Sequence, residues 1–233
     1  MKIKLNLIML CLCGAIAAQA QPAPFGDNLQ WELQGTTLSI TSPNPEQPAN
    51  MVFYSDIPWE ASAASITTVT LPSNLTNIGL MAFYGCTALT TIELPDITTI
   101  EGSAFRGCTA LEQIILPASL TSIDNYAFYG CSKLQNVYCL ATVPPELSAN
   151  DVFVGCHSGL VICVPDATAL AQYQKTGCNW GHYYSDQLQV CSTTDINKVI
   201  EPSNAQTIKL IKQGHLYIIH NGEIFNVLGS KVK

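Results

Sequence analysis

The chain has 233 residues, of which 48% are hydrophobic and 12% charged, with a formal net charge of −7 at pH 7. This composition excludes an intrinsically disordered protein and predicts one folded domain with small appendages. The acidic excess disfavours nucleic acid and anionic lipid as partners, because both bind clustered Lys and Arg.

Residues 1–20 have the features of a secretory signal peptide. Lys2 and Lys4 precede an apolar run that ends in a small-x-small cleavage site, Ala18-Gln19-Ala20. The run is too short to span a bilayer comfortably. A lipoprotein anchor is the alternative, but a leucine precedes each cysteine of the run where such a signal has a small residue. We therefore expect an exported chain, at the cell surface or extracellular, with no transmembrane segment.

Without Lys2 and Lys4, 8 basic and 17 acidic residues remain, a net charge of −9. The segment from Asp27 to Asp195 contains 3 basic and 15 acidic residues, whereas residues 196–233 contain 5 basic and 2 acidic ones. This asymmetry indicates that the tail is a separate unit.

Residues 21–65 are predicted to cap the repeats that follow. The segment from Leu29 to Thr41 alternates around Gly35 like two strands joined by a turn. Residues 42–50 are rich in Pro and Asn and indicate a loop. Trp31 and Trp59 are the large side chains expected to be buried in this cap.

Residues 66–159 contain one sequence motif repeated about four times, and the last copy departs from the pattern. A phenylalanine and a cysteine recur at steps of 22, 23 and 25 residues. This period, with Leu or Ile at fixed offsets, predicts a leucine-rich solenoid, mainly β, with short parallel strands and helical or 3₁₀ turns. The ladder residues are Phe83, Phe105, Phe128 and Phe153, with Cys86, Cys108, Cys131 and Cys156.

The second copy shows the expected conformation of one rung. Its period-two alternation predicts a half-buried strand that points Thr91 and Glu93 outward and ends at Pro95. Ile97 to Glu101 is a second short extended piece, and a helical or 3₁₀ turn follows. Stacked in register, the first strands are predicted to form one continuous parallel sheet.

Residues 160–191 are predicted to form the C-terminal cap. Asp166 can cap a helix from Ala167 to about Lys175, which Gly177 stops. Aromatic residues that would close the stack follow it: Trp180, Tyr183 and Tyr184. Residues 192–206 indicate a linker, and residues 207–233 two or three short strands with tight turns.

The ladder cysteines are expected to be buried apolar groups, because members of a ladder diverge along a line and cannot converge on a metal. Cys163, at an outward position, is expected to bond to Cys178 or Cys191 in an exported protein. Sequence cannot decide between those pairings. No cofactor is indicated. A Cys–His hydrolase could be imagined from His182 with Cys178 or Cys191, but no oxyanion-forming motif accompanies them.

Two surfaces are candidate binding sites. The sheet face is favoured, because solenoids usually bind through extended concave faces. The turn stripe is the alternative, since Tyr and Arg are enriched where proteins contact partners. The sheet face comprises Thr91, Glu93, Gln113, Ile115, Asn136 and Tyr138, and the turn stripe Tyr84, Arg106 and Tyr129, followed by Val154.

The repeat "LTTIELPDITTIEGSAFRGCTA" resembles the BspA-like leucine-rich repeats of secreted and surface bacterial proteins, since "LP", "AF" and "GC" fall at that family's offsets. The tail phrase "IFNVLGSKV" resembles the end of sorting domains of the Bacteroidota type IX secretion route. The first resemblance implies a non-enzymatic adhesin-like module that contacts host or bacterial proteins. The alternative is a secreted carbohydrate- or nutrient-capture accessory protein, which would need aromatic stacking by Tyr84 and Tyr138. Neither the ligand nor the oligomeric state follows from the sequence.

Overall fold

The computed structural model describes residues 23–52 and 57–191, together with three strands between residues 207 and 226. The predicted signal peptide, residues 1–20, and the predicted linker, residues 192–206, lie outside the described residues. Within the described part of the chain, no helix is long and apolar enough to cross a membrane.

The N-terminal segment extends the first rung of the solenoid. Strands β1 (Ala23–Phe25), β2 (Leu29–Gln34) and β3 (Thr37–Thr41) pair antiparallel, which confirms the predicted strand pair around Gly35. Strand β3 then pairs parallel with β4 (Thr68–Thr70). A 3₁₀ helix at Glu60–Ser65 precedes that rung.

Two parallel sheets run along the stack of rungs. One contains the short second strands β5 (Asn77–Ile78), β6 (Thr99–Ile100), β8 (Ser122–Ile123) and β10 (Glu146–Leu147). The other contains the longer strands β7 (Gln113–Leu116), β9 (Asn136–Cys139) and β11 (Val161–Val164), with β12 (Leu188–Val190) of the C-terminal cap.

The prediction of one continuous sheet of first strands is wrong at the second rung. Residues 91–95 form no strand, so β4 and β7 belong to different sheets. Next to this segment, the Glu112 N–H of the third rung donates to the Thr90 carbonyl at 3.3 Å. The second rung is held on its other sides, through β6 and through the turn that follows it, so its first strand is not needed for stacking.

The turns stack through a hydrogen-bond ladder of their own. The N–H of Phe83 donates to the Ala104 carbonyl at 2.7 Å, and that of Phe105 to Ala127 at 2.8 Å. The N–H groups of the residues between these donate within the same turn, to the carbonyl three residues earlier. The N–H of Tyr84, for example, donates to the Met81 carbonyl at 2.9 Å. The predicted helical or 3₁₀ turn is therefore present in part, because bonds of the 3₁₀ type alternate with bonds to the next rung. Both sets of N–H groups have a partner.

The phenylalanines form a stacked column through the centre of the solenoid. Successive ring centroids of Phe83, Phe105, Phe128 and Phe153 lie 5.3, 5.2 and 5.3 Å apart. Trp59 stacks on the first ring and Trp180 packs on the last, at 6.3 and 5.9 Å. Each indole N–H donates to a backbone carbonyl, Trp59 to Ala82 and Trp180 to Pro145. The two tryptophans thus cover the open ends of the column.

The C-terminal cap consists of helix α1 (Ala167–Tyr173), helix α2 (Asn179–Tyr184) and β12. The predicted N-cap is confirmed, because the Asp166 carboxylate accepts the Ala169 N–H at 2.8 Å. The helix ends two residues before Lys175. Trp180 and Tyr184 are buried, but Tyr183 is 39% exposed and does not close the stack.

One aromatic residue of the N-terminal cap also departs from its prediction. Trp59 is buried as expected, whereas Trp31 is only partly buried, with its ring edge against Trp59 at 5.9 Å. Trp31 lies on β2, one strand farther from the column than β3, and this position leaves one side of its ring uncovered.

Three antiparallel strands follow in the tail: β13 (Thr207–Lys212), β14 (His215–His220) and β15 (Glu223–Asn226). Lys212 pairs with His215 and His220 with Glu223, so only two residues separate successive strands. This agrees with the predicted short strands, and the predicted turn residues between them lie outside the described residues.

Candidate functional site

The sheet face is a smaller surface than the sequence predicts. Thr91 and Glu93 are exposed but lie in the segment that forms no strand. Gln113, Ile115 and Asn136 are half-buried on β7 and β9. Tyr138 is only 5% exposed, so the prediction that it is open to a partner is wrong.

The burial of Tyr138 results from the C-terminal cap. A disulfide joins Cys163 of β11 to Cys191, with the Cα atoms 5.2 Å apart. This pairing is one of the two that the sequence left open. Both cysteines and Tyr138 form a small buried cluster on the outward face of β9 and β11, packed against Ile115 and two further apolar side chains. The last rungs of the sheet face are therefore covered by this chain itself.

On the turn side, Arg106 lies among three tyrosine rings. Its guanidinium carbon is 5.9 Å from the ring centroid of Tyr84, 5.4 Å from that of Tyr126 and 5.1 Å from that of Tyr129. A cation over an aromatic face contributes about 0.5–1 kcal/mol at an exposed site. We call Arg106 with these three tyrosines the Arg–Tyr cluster.

Tyr126 was missed by the sequence analysis. It occupies the position of Met81 and Ser103 in the preceding turns, and all three have a positive φ, of 58°, 56° and 56°. Non-glycine residues with positive φ are uncommon, and nothing in the repeat pattern indicates that conformation. The signal that could have found Tyr126 is its spacing from Tyr129, which places both rings on one turn, 5.5 Å apart.

Exposed apolar side chains surround the Arg–Tyr cluster on neighbouring turns. Leu80 is 45% exposed, Met81 36% and Val154 46%, while Tyr84 and Tyr126 are 41% and 36% exposed. A Cβ on Gly102, which carries none, would lie 3.4 Å from the Leu80 methyl, so Leu80 lies over the next turn. We call these three apolar residues together with the Arg–Tyr cluster the turn patch.

The ladder cysteines are reduced and form hydrogen bonds between rungs. The thiols of Cys108, Cys131 and Cys156 donate to the carbonyls of Phe83, Phe105 and Phe128, at 3.1, 3.1 and 3.3 Å. Each thiol thereby bonds to the rung before it. The recurring cysteine can donate this hydrogen bond, whereas an alanine or valine at its position has no donor.

Burial makes these thiols poor acids. It raises the pKa of Cys86, Cys139 and Cys156 to about 12 from an ordinary 9.0. The pKa values of Cys108 and Cys131 are also raised, first by burial and then by neighbouring thiols. Because the thiolate is the reactive form, the ladder is inert at neutral pH.

These raised pKa values predict alkaline destabilisation. Above pH 9, an unfolded chain releases thiol protons that the folded chain retains, so the free energy of unfolding falls as the pH rises toward about 12. Below pH 9 this contribution to stability is fully present. Urea titrations across this range should show the decline, and Cys86→Ala should make it shallower. An unchanged midpoint up to pH 11 would contradict the prediction.

The residues of the imagined Cys–His pair are not arranged for catalysis. Cys191 is part of the disulfide and cannot act as a nucleophile. Cys178 precedes α2 and His182 lies within it, but within the described residues their side chains form no hydrogen bond with each other. His182 is exposed, with its ring against that of Tyr183 at 4.6 Å.

A shallow pocket of about 260 Å³ lies between the third and fourth rungs. Its lining contains no ionisable side chain and consists of Ala118, Ser119, Leu120, Thr121, Ala141, Thr142, Val143 and Pro144. It offers little chemistry with which to orient a small ligand.

Residues 61–169 match the family model described as the BspA type leucine-rich repeat region, in six copies. The chain has a leucine-rich repeat fold. The matched range contains every rung that the sequence predicts over residues 66–159, together with the start of α1. Leucine-rich repeat proteins are often surface-associated protein-binding modules.

Three solved structures of bacterial leucine-rich repeat proteins are similar to this chain. TpLRR of T. pallidum is 29% identical over 60% of this chain and 69% of its own, with a TM-score of 0.41. A protein of Eubacterium ventriosum is 17% identical over 82% of this chain, with a TM-score of 0.39, and one of Bacteroides ovatus is 18% identical over 63%, with 0.33. The matches span only 46% and 56% of these last two proteins. No curated protein matches.

Proposed function

We propose that this chain is an exported, adhesin-like binding module that contacts host or bacterial proteins through its turn patch. The observation that carries this proposal is the coincidence of three tyrosines, an arginine and exposed apolar side chains on consecutive turns of a rigid stack. Tyr and Arg are the residues most enriched among binding hot spots. Large apolar groups that stay exposed beside them are typical of a protein interaction site.

The turn patch supports this role better than the sheet face does. The cap buries Tyr138 and Cys163 at one end of the sheet face, and the second rung interrupts its strands. Of its other predicted residues, Gln113, Ile115 and Asn136 are half-buried, and the exposed Thr91 and Glu93 lie in the segment that forms no strand. A partner approaching the sheet face would therefore meet a short and mostly polar surface.

Export is supported by the disulfide, because such bonds persist in oxidising compartments. The proposal includes a signal peptide at residues 1–20 and a sorting role for residues 207–233, whose three antiparallel strands form a separate small sheet. Display at the cell surface or release from it would place the turn patch in contact with extracellular proteins.

Removing two rings of the turn patch tests the proposal. The purified full chain should bind saturably to at least one protein in a panel of purified matrix, plasma and bacterial surface proteins. The double variant Tyr84→Ser/Tyr129→Ser should weaken that binding by at least about tenfold, because each hot-spot residue contributes about 2 kcal/mol or more. Surface plasmon resonance gives both dissociation constants.

Two further variants test whether the loss of binding is specific to the turn patch. Tyr183→Ser removes an equally exposed tyrosine from α2 and should leave binding unchanged. Gln113→Ala with Asn136→Ala tests the sheet face in the same assay. Binding lost in the sheet-face variant and retained in the tyrosine variant would reverse the assignment. Saturable binding to a glycan array, with none to the proteins, would favour the carbohydrate-capture alternative.

A further inference from the structure

We propose that Arg106 anchors a carboxylate of the partner, so that the turn patch recognises a peptide segment with an Asp or Glu beside an apolar or aromatic residue. This inference rests on the proposed function and adds the chemistry of the ligand.

The guanidinium of Arg106 is held in place but its donors are unused. Three rings surround it at 5.1–5.9 Å. Within the described residues, its side chain forms no hydrogen bond or ion pair. A guanidinium presents a fork of five N–H donors that matches a carboxylate in a bidentate geometry. Because no hydrogen bond or ion pair to a described residue uses these donors, they are available to a ligand.

The net charge of the segment from Asp27 to Asp195 favours a single carboxylate over a polyanion as the ligand of Arg106. From Asp27 to Asp195 the sequence contains 15 acidic residues and only Arg106, Lys133 and Lys175 as basic ones. A strongly anionic polymer, such as a sulfated polysaccharide or nucleic acid, would be repelled by this acidic body. One acidic side chain placed at Arg106 gains its ion pair with much less of that repulsion.

The apolar part of the turn patch favours a peptide over a sugar. Leu80, Met81 and Val154 offer aliphatic surface with no hydrogen-bonding group, which suits an apolar side chain better than a ring of hydroxyls. The tyrosine faces that could stack a sugar are already directed at the guanidinium. An apolar or aromatic neighbour of the carboxylate can cover the aliphatic side chains while the carboxylate pairs with Arg106.

The backbone of the patch is consistent with a binding role. Met81 and Tyr126, two of its seven residues, have positive φ values of 56° and 58°. Ser103, at the same repeat position of the turn between them, has a φ of 56°, so this conformation is a regular feature of the turns. The turn ladder, in which each inter-rung bond is 2.7–3.0 Å long from Met81 to Gly107, fixes this conformation before a partner arrives.

A peptide selection tests the chemistry directly. A phage-displayed library of random linear peptides is selected on the full chain and depleted on the Arg106→Gln chain. We expect enriched peptides with Asp or Glu next to an apolar or aromatic residue. Changing that Asp to Asn, or Glu to Gln, should weaken binding to the wild-type chain by at least about tenfold and have little effect on the Arg106→Gln chain. Fluorescence anisotropy of the synthetic peptides measures all four affinities.

The control variant is Lys175→Gln, which makes the same change in net charge in the C-terminal cap and should bind as the wild type does. Thermal melts establish that each variant is folded. Arg106→Lys should restore only part of the affinity, since an ammonium lacks the bidentate fork.

Several results would overturn the proposal. These are no enrichment, enriched peptides without an acidic residue, equal losses on both chains, competition by uronic acid oligosaccharides, or self-association that Arg106→Gln abolishes. Failure of this proposal is separable from failure of the proposed function. If proteins of the panel bind saturably and Arg106→Gln has no effect, the module binds proteins but not through a carboxylate at Arg106. If nothing in the panel binds, both proposals fail.

Discussion

Replacing Phe105 by alanine should lower the free energy of unfolding by about 3–5 kcal/mol, the range for removing a fully buried phenylalanine. Phe105 is 0% exposed and stacks on both neighbours in the column, at 5.3 Å on Phe83 and 5.2 Å on Phe128. The alanine would leave a cavity in the middle rung. The turn ladder limits collapse around that cavity, because the Phe105 N–H bonds to Ala127 and its carbonyl accepts the Cys131 thiol.

Urea unfolding followed by circular dichroism measures this effect. Phe105→Leu keeps most of the volume and should cost less than about 1.5 kcal/mol. Val143→Ala removes a side chain that is 73% exposed and should change stability by less than about 0.5 kcal/mol. A loss below about 1.5 kcal/mol for Phe105→Ala would mean that the column is not the main source of stability in the middle of the stack.

The sequence predicts the interior of this protein well, because the repeat requires the same buried groups in every rung. A stacked solenoid places equivalent residues above one another, so a phenylalanine that recurs every 22 to 25 residues must form a column. The ends were predicted from composition, since an open column needs large apolar groups to cover it. Trp59 and Trp180 do this.

The surface was harder to predict, because long-range packing determines it. Tyr138 occupies an outward strand position, and alternation alone predicts exposure. It is buried because Cys191 bonds to Cys163 on the adjacent strand, a contact between residues 28 apart in sequence. No local pattern contains that information.

The turn patch was predicted only in part for a related reason. Tyr84, Arg106 and Tyr129 share one repeat position, so their alignment follows from the period. Tyr126 belongs to a different position, whose backbone has a positive φ, and its ring also lies near Arg106. The sequence also did not predict that the ladder thiols donate hydrogen bonds, because a cysteine that is only a small buried apolar group would give the same repeat pattern. The distances of 3.1–3.3 Å to the preceding phenylalanine carbonyls distinguish the two roles.

The interior of the solenoid is the same in every rung, whereas its exposed positions differ from rung to rung. Phenylalanine rings, thiols and turn backbone fix the rungs, so side chains at the exposed turn positions can differ between rungs without disturbing the stack. Arg106 among tyrosines is one such set of differences, and this is why binding is assigned to residues that vary between the copies.

Reducing the disulfide between Cys163 and Cys191 should lower the free energy of unfolding by about 2–4 kcal/mol, the typical range for a cross-link that closes a loop of this size. The bond spans 28 residues, which include α1, α2 and β12. Without it, this segment gains conformational freedom in the unfolded chain. In the folded chain the cap is then held by the pairing of β12 with β11 and by the packing of Trp180 and Tyr173.

Urea titrations with and without reductant measure the change, and the double variant Cys163→Ala/Cys191→Ala is the control that should not respond to reductant. Hydrogen exchange locates the effect: amides of α1, α2 and β12 should lose more protection than those of β8, near the middle of the stack. Equal loss in both regions would indicate that the bond stabilises the whole solenoid. An unchanged urea midpoint after complete reduction would show that strand pairing and aromatic contacts hold the cap without the disulfide.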